Sequence, residues 1–410
     1  MHKQSHSKNT VRYFLLVALF LISLFFSNDF GLLDVEKTAI VTAVGVDREE
    51  EEFILTSQVA LPQSGGQGSK TVQIVSRGKT IAQAFEEVNA KTGWYPKLVF
   101  CNLILLGENA TERNVFDALD YFLRDDYLSD NCKLAVCDGK AKDILDTAAL
   151  VEATSSLAIE KILSPHAERV GTVLTSTLRE FSIGYFSESK SGYLPVVKKQ
   201  PQQDEQAQPT QGGGRGGEEK GGNGQGGQSG ESAQNNQDEK KKPTFSASET
   251  ALFVGGKRVD TLTQAQTFAL NAVIGKLRLA AYSVDDGEKT CTLSIRQNAP
   301  KIHLTIGDDG RASLTLDVTL TAGISDLSKS QVLEELRDVG EVPDGVFSAA
   351  TKRLSGEIHE VFEKTRACGC DVFGVRERLI KYENRRFHSF KEELLQNALV
   401  GVNVRFENVR

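Results

Sequence analysis

The sequence has 410 residues, of which 40% are hydrophobic and 25% are charged, and its formal net charge is −7 at pH 7. This length is too great for one ordinary core and favours two domains or three small ones. The composition excludes fibrous, wholly disordered and polytopic proteins. A net negative charge provides no broad basic surface, so we expect no nucleic acid partner.

An apolar stretch at residues 13–26 (YFLLVALFLISLFF) follows a segment that carries Lys3, Lys8 and Arg12 and no acidic residue. As a helix it would span about 21 Å, which is typical of the apolar part of an export signal. No small-residue cleavage site follows it. We therefore expect residues 1–12 to be cytoplasmic, residues 13–27 to be an uncleaved signal anchor, and the rest to be extracytoplasmic. A buried helix at the edge of a domain is the alternative.

The chain after this segment alternates strands and helices. Apolar alternation and β-branched residues predict strands at 38–47, 53–61, 71–77, 97–106 and 132–137. Helical spacing predicts helices at 80–91, 109–123 and 141–145, and further helices within 155–178 that are interrupted at Ser164-Pro165. Residues 34–197 are therefore predicted to form an α+β domain.

A change of composition follows at residues 198–243, which are rich in Gly, Gln, Glu, Lys and Asn and contain no aromatic residue. Such a segment cannot bury enough apolar surface to fold, so we predict a disordered linker. Residues 245–410 then predict a second α+β domain. Its predicted strands are 250–254, 257–262, 290–297, 301–306, 312–321 and 398–408, and its predicted helices are 263–275, 330–339, 343–365 and 389–397.

The motifs of catalytic and metal sites are missing from the sequence, including HExxH, GxSxG and the Walker A loop. We therefore expect no enzyme, no cofactor, and no catalytic or metal-binding residue. The cysteines are sparse and their CxC pair lacks the second ligand pair of a zinc site, so buried or free thiols are the preferred interpretation. The six are Cys101, Cys132, Cys137, Cys291, Cys368 and Cys370.

Trp94 and Tyr95 lie between a predicted helix and a predicted strand and are the candidate interaction residues of the chain. Aromatic side chains on loops are favoured at interfaces. For Trp94 a core or loop-stabilising role is the preferred interpretation, and exposure as an interaction residue is the alternative.

Several segments occur in the order of one known family. They are AIVTAVGVD (39–47), GKTIAQAF (78–85), YPKLVFCNLILLGE (95–108), LDYFLRDD (119–126), the hairpin and helix at 248–278, and the segment from residue 370 that contains Asp371, Phe373 and Gly374. Together they resemble the Ger(x)C proteins, the C subunits of spore germinant receptors. The resemblance implies an α+β ectodomain with mixed sheets and packed helices, in two main halves or three subdomains.

The resemblance also implies a function. It implies a non-enzymatic subunit on the outer face of the spore inner membrane, assembled with a polytopic A subunit and a B subunit and needed for germination in response to nutrients. It leaves open which germinant acts and whether this subunit contacts it. A generic extracytoplasmic sensor or scaffold and a cell-wall-active enzyme are the alternative functions.

One position departs from the family pattern. Members of the family carry a lipid-modified cysteine shortly before the strand that begins here at Ala39, whereas this chain has Asp29 near that place and no cysteine before Cys101. We therefore expect no lipidation and expect the signal anchor to attach the protein to the membrane.

Overall fold

The computed structural model describes residues 12–21, 38–61, 70–200, 244–286, 289–309, 311–327, 342–382, 384–385 and 395–409. Within these residues the chain is an α+β protein with two mixed sheets, one of nine strands and one of four. Helices pack on both sheets. The predicted fold class is confirmed.

The first sheet contains antiparallel strands at both ends and parallel strands between them. Its order is β3-β2-β1-β5-β6-β7-β8-β9, with β4 beside the beginning of β1. Because β1, β4, β5 and β6 are parallel to one another, their N-terminal ends lie along one edge of the sheet. The strands are β1 (Thr38–Glu49), β2 (Glu52–Leu61), β3 (Lys70–Gly78), β4 (Tyr95–Lys97), β5 (Leu103–Leu106), β6 (Lys133–Cys137), β7 (Ser191–Gln200), β8 (Thr244–Val254) and β9 (Lys257–Leu262).

The helices of this part bury both faces of the first sheet. α2, α4 and α8 pack on one face through Phe85, Phe122 and Phe181, and α5 and α6 pack on the other through Leu145 and Ile159. A strand that is buried on both faces has no polar side, which explains the continuous apolar sequence of β5. The helices are α1 (12–21), α2 (Ile81–Thr92), α3 (Glu108–Thr111), α4 (Phe116–Leu123), α5 (Ala141–Leu145), α6 (Ser155–Ile162), α7 (Pro165–Val170) and α8 (Leu178–Phe186).

Strands from the two sides of the predicted linker lie next to each other. β7 pairs antiparallel with β8 from Ser191 opposite Val254 to Gln200 opposite Thr244. Residues 198–200, which the prediction assigned to the linker, therefore belong to β7. β8 and β9 form the predicted hairpin, with Gly255 at φ 57° and Gly256 at φ 79° in its turn. The first sheet thus contains strands of both predicted domains, and the division into domains stays a prediction.

The second sheet has the order β10-β11-β12-β13, with β13 parallel to β12. Its core contains Phe268 of α9, Phe362 of α10 and Phe406 of β13. In β13 the predicted alternation is confirmed, because Val404 and Phe406 are buried while the residues between and beside them are exposed. The elements are β10 (Ala280–Asp286), β11 (Lys289–Ile306), β12 (Ala312–Leu327), β13 (Leu399–Asn408), α9 (Gln264–Ile274), α10 (Asp344–Ala367) and α11 (Val375–Tyr382).

Several predicted boundaries were wrong. The strand predicted at 97–106 divides into β4 and β5, and the helix predicted at 109–123 divides into α3 and α4. The strands predicted at 290–297 and 301–306 join into β11, which continues through Pro300. Proline is tolerated there because β10 pairs with β11 only as far as Ile295, so the β10 side of β11 is open at Pro300 and a missing N–H costs little.

Three further elements, β7, α8 and β10, were missing from the prediction. The helix predicted at 330–339 lies outside the described residues, and so do residues 389–394 of the helix predicted at 389–397.

The described part of α1 exposes apolar side chains along its length. Tyr13, Phe14, Leu16, Leu19 and Phe20 are 61–76% exposed. They contribute nothing to the three buried clusters formed by the rest of the described chain. No helix among the described residues is both long enough and apolar enough to cross a membrane.

The parts of the chain before and after residues 201–243 share the first sheet, so we expect them to unfold together. Phe253 of β8 is buried and packs edge-on against Phe181 of α8, with ring centroids 5.2 Å apart. We expect Phe253→Ala to lower the free energy of unfolding by about 3–5 kcal/mol in a single transition, measured by denaturant titration with circular dichroism. The control Phe186→Ala, at a largely exposed side chain, should lower the free energy of unfolding by less than about 1 kcal/mol. Equal losses in the two variants would contradict the shared core.

Candidate functional site

Trp94 and Tyr95, the predicted interaction residues, follow the C-terminus of α2. The helix ends at Gly93, which has a φ of 73°, and the N–H of Trp94 donates to the Thr92 hydroxyl at 3.1 Å. The Trp94 side chain is partly buried against the core cluster that contains Phe85, whereas Tyr95 is 44% exposed. The loop therefore buries much of Trp94 and presents Tyr95 to the surface.

The turn between β4 and β5 presents two more apolar side chains. Leu98 and Cys101 are buried, and the N–H of Cys101 donates to the Leu98 carbonyl at 2.9 Å. Val99 and Phe100, at the tip of the turn, are 48% and 57% exposed. Because this turn precedes the parallel strand β5, it lies at the N-terminal edge of the sheet, beside the beginning of β1.

A second loop at this edge contributes Tyr127. The Asp125 carboxylate accepts the N–H groups of Tyr127 and Leu128, both at 2.9 Å, and so shapes the turn before β6. Tyr127 is 58% exposed, and the Lys97 ammonium lies 4.3 Å from the centroid of its ring. This cation–π contact joins the loop to β4.

We call this surface the aromatic edge. Its members lie at or beside the N-terminal ends of the parallel strands, and each is at least 38% exposed. Sequence reasoning singled out Tyr95 but missed the other members. It assigned Val99 and Phe100 to one buried strand at residues 97–106. The polar residue Asn102 inside that apolar run was the available indication of a turn. The aromatic edge consists of Ile40, Tyr95, Val99, Phe100 and Tyr127.

The buried carboxylate of Asp47, at the end of segment 39–47, caps a helix far away in the chain. Its two oxygens accept the N–H groups of Ala141 at 2.7 Å and Lys142 at 3.0 Å, at the beginning of α5. Gly107 approaches the same carboxylate so closely that a Cβ there would lie 1.9 Å from Asp47 Oδ1. Burial raises the pKa of Asp47, although the two N–H donors and Lys140 act in the opposite direction.

Asp371, in the second part of the chain, has the same role. It is buried, and its oxygens accept the N–H groups of Val375 and Arg376 at the beginning of α11, both at 2.8 Å. Its own N–H donates to the Ser191 hydroxyl of β7 at 2.9 Å. Burial raises the pKa of Asp371 as well. The segment around Asp371 and Phe373 therefore joins α11 to the first sheet.

Five of the six cysteines are buried, and Cys368 is partly exposed. Burial raises the pKa of the Cys137 and Cys370 thiols, which disfavours the reactive thiolate. Within the described ranges, no cluster of three or more His, Cys, Asp or Glu side chains is arranged to hold a metal ion. The buried polar groups described above thus connect elements of the fold.

Two family models match this chain. The model described as "Spore germination protein N-terminal domain" matches residues 33–199, and the model described as "Spore germination B3/GerAC like, C-terminal" matches residues 248–410. The chain belongs to the GerAC-like family of spore germination proteins. Both descriptions place the family in spore germination. The resemblance drawn from the sequence segments is therefore confirmed, and the two matched regions meet across the paired strands β7 and β8.

Individual relatives match only part of this GerAC-like chain or match it at low sequence identity. "Spore germination protein B3" of Bacillus subtilis (strain 168) is 32% identical over 146 residues, which are 34% of this chain and 36% of that protein. The chain thus spans about a third of the length of that curated relative. The solved structure described as "Crystal Structure of the GerBC protein" has 17% identity and a TM-score of 0.49 over 91% of this chain and 99% of that one.

The raised pKa of Asp47 predicts a pH-dependent contribution to stability. The folded chain holds the Asp47 proton more tightly than the unfolded chain, whose carboxyl titrates near 3.8. Stability from this group is therefore fully present at low pH and falls as pH rises through the window above 3.8. We expect the unfolding free energy of the wild type minus that of Asp47→Asn to decrease across this window, as measured by denaturant titrations at several pH values.

Asp120 is the matched control for this measurement. Its hydrogen bond with Arg124 lowers its pKa, so the stability of the wild type relative to Asp120→Asn should rise with pH as the carboxyl ionises, up to the ordinary value of 3.8. The same slope for both variants would contradict the assignment of a buried carboxylate to Asp47.

Proposed function

We propose that this chain is a non-enzymatic, membrane-anchored subunit of a spore germinant receptor, which acts in germination in response to nutrients through assembly with a polytopic A subunit and a B subunit. The observation that carries this proposal is the match of the two family models to both parts of the chain, residues 33–199 and 248–410.

The proposed attachment is a signal anchor at residues 13–27. It is supported by the apolar sequence of residues 13–26, the three basic residues before it, and the exposed apolar side chains of α1. Cationic residues before an apolar segment favour a cytoplasmic N-terminus. The part of the chain from Thr38 onward then lies on the outer face of the spore inner membrane. With Asp29 near the place of the family's lipidated cysteine, this helix replaces the lipid.

The proposal of a contact function is supported by how the buried polar groups are used. Asp47 and Asp371 each accept two backbone N–H groups at the beginning of a helix. Both carboxylates are buried and hold the beginning of a helix, so the structure uses them to join elements of the fold. The exposed features of the first sheet are side chains of the kind found at interfaces, such as Tyr95 and Phe100.

Affinity capture from spore membranes tests the proposal. The full chain with a tag after β13 is produced in its own spores, the membranes are washed with alkaline carbonate, and the detergent extract is captured and analysed by mass spectrometry. We expect the chain to stay in the carbonate-washed membranes and to bring down a polytopic permease-like subunit and a second membrane subunit.

A charge in the anchor provides the matched control. Leu19→Arg in the middle of the apolar segment raises the cost of insertion by about 3 kcal/mol, so less chain should remain in the washed membranes, whereas Leu19→Ile should behave as the wild type. Capture without any polytopic partner would contradict the receptor assignment. A mature N-terminus near Asn28 in chain released from the membrane would contradict the anchor.

A further inference from the structure

The aromatic edge lies where the chain enters the folded part. Thr38, the first residue of β1, is the strand partner of Tyr95, and Ile40 is the partner of Lys97. The backbone N–H of Asn102, directly after the turn that presents Phe100, donates to the Thr42 carbonyl at 3.0 Å. The exposed aromatic side chains are therefore next to the point at which the proposed anchor joins the sheet.

A short connection limits how far this edge can move from the bilayer. Residues 27–37, eleven in number, separate the apolar segment from β1. A fully extended chain of this length reaches at most about 40 Å. The aromatic edge is thus kept within about 40 Å of the membrane surface, where a weak apolar contact gains from high effective concentration.

The opposite end of β1 carries charged side chains in place of apolar ones. The turn between β1 and β2 carries Glu49 and Glu51, which form ion pairs with Lys140 and Arg113, both at 2.9 Å. β1 has 12 residues, so the two ends of the strand are about 40 Å apart. One end of the sheet is therefore charged and hydrated, and the other presents tyrosine, phenylalanine and aliphatic side chains.

The charges beside the aromatic edge favour apolar contact over attraction to acidic lipids. The Asp125 carboxylate accepts two backbone N–H groups, Arg124 is paired with Asp120 at 2.7 Å, and Asp126 is exposed. Lys97 supplies a cation, but its ammonium lies over the Tyr127 ring. A surface of tyrosine and phenylalanine with few free cations suits the headgroup boundary of a bilayer, where aromatic side chains with a polar atom are enriched. A polybasic lipid site would instead need a cluster of free cations.

We propose that the aromatic edge inserts into the boundary between headgroups and acyl chains of the bilayer that holds the anchor. The folded part then rests on the membrane with the N-terminal ends of β1, β4, β5 and β6 toward the lipid and the charged turn at Glu49 away from it. This inference depends on the proposed anchor.

Photochemical cross-linking in vesicles tests the inference with the full chain. Phe100 or Tyr127 is replaced by the photoreactive analogue benzoylphenylalanine, and each protein is reconstituted into phosphatidylcholine vesicles. Both side chains are more than half exposed, so the replacements leave the core intact, which circular dichroism verifies. Glu112, which is exposed and adjoins the Arg113 that pairs with Glu51 at the opposite end of β1, receives the same analogue as the control. After irradiation, mass spectrometry identifies what is attached at each position.

We expect lipid adducts at positions 100 and 127 and no lipid adduct at position 112. Adducts at 100 and 127 that contain only a second copy of the chain or another protein, or lipid adducts equal at all three positions, would overturn the inference while the anchor stands. A chain that separates from the vesicles on flotation after a carbonate wash would overturn the anchor and the inference together.

Discussion

The antiparallel pairing of β7 with β8 is the constraint on which the rest of the structure depends. It joins the strands on either side of residues 201–243 into one sheet, so the part matched by the second family model begins as an extension of the first part. Other contacts reinforce the pairing. The Asp371 N–H donates to Ser191 of β7, and Phe253 of β8 packs on Phe181 of α8. Because these contacts join segments far apart in sequence, the two parts form a common core.

Two helices, α5 and α11, are capped by the carboxylates of Asp47 and Asp371. The residue before α5, Lys140, provides no side-chain cap, and the carboxylate of Asp47 supplies it from the end of β1. Asp371 similarly binds the first N–H groups of α11. A carboxylate at a helix N-terminus satisfies unpaired donors and interacts favourably with the helix dipole. The segments that identify the family therefore contain residues that hold elements of the fold together.

Periodicity and helix-capping residues predicted some of the elements. The one-sided alternation of β13 and the capped helix α9, with Thr263 before it and Gly275 after it, could be recognised from the sequence. The turn at Val99 and Phe100 was missed, because it lies within a largely apolar run in which Asn102 is the available indication of a turn. The membership of β8 in the first sheet was also inaccessible, since a periodic pattern does not specify which strand will be the partner. Tyr95 was identified from its loop position, whereas Phe100 and Tyr127 depend on the fold.

The chain thus combines an apolar segment, a short connection and an aromatic edge at one end of the first sheet. Its single tryptophan, Trp94, adjoins that edge and provides a native probe of the central claim that the folded part rests on the bilayer. The most direct measurement is quenching of Trp94 fluorescence in vesicles of phosphatidylcholine brominated near the headgroup end of its acyl chains. The account predicts quenching by the brominated lipid and less quenching by acrylamide with vesicles than without them. Trp94 fluorescence that is unaffected by the brominated lipid and equally open to acrylamide with and without vesicles would contradict it.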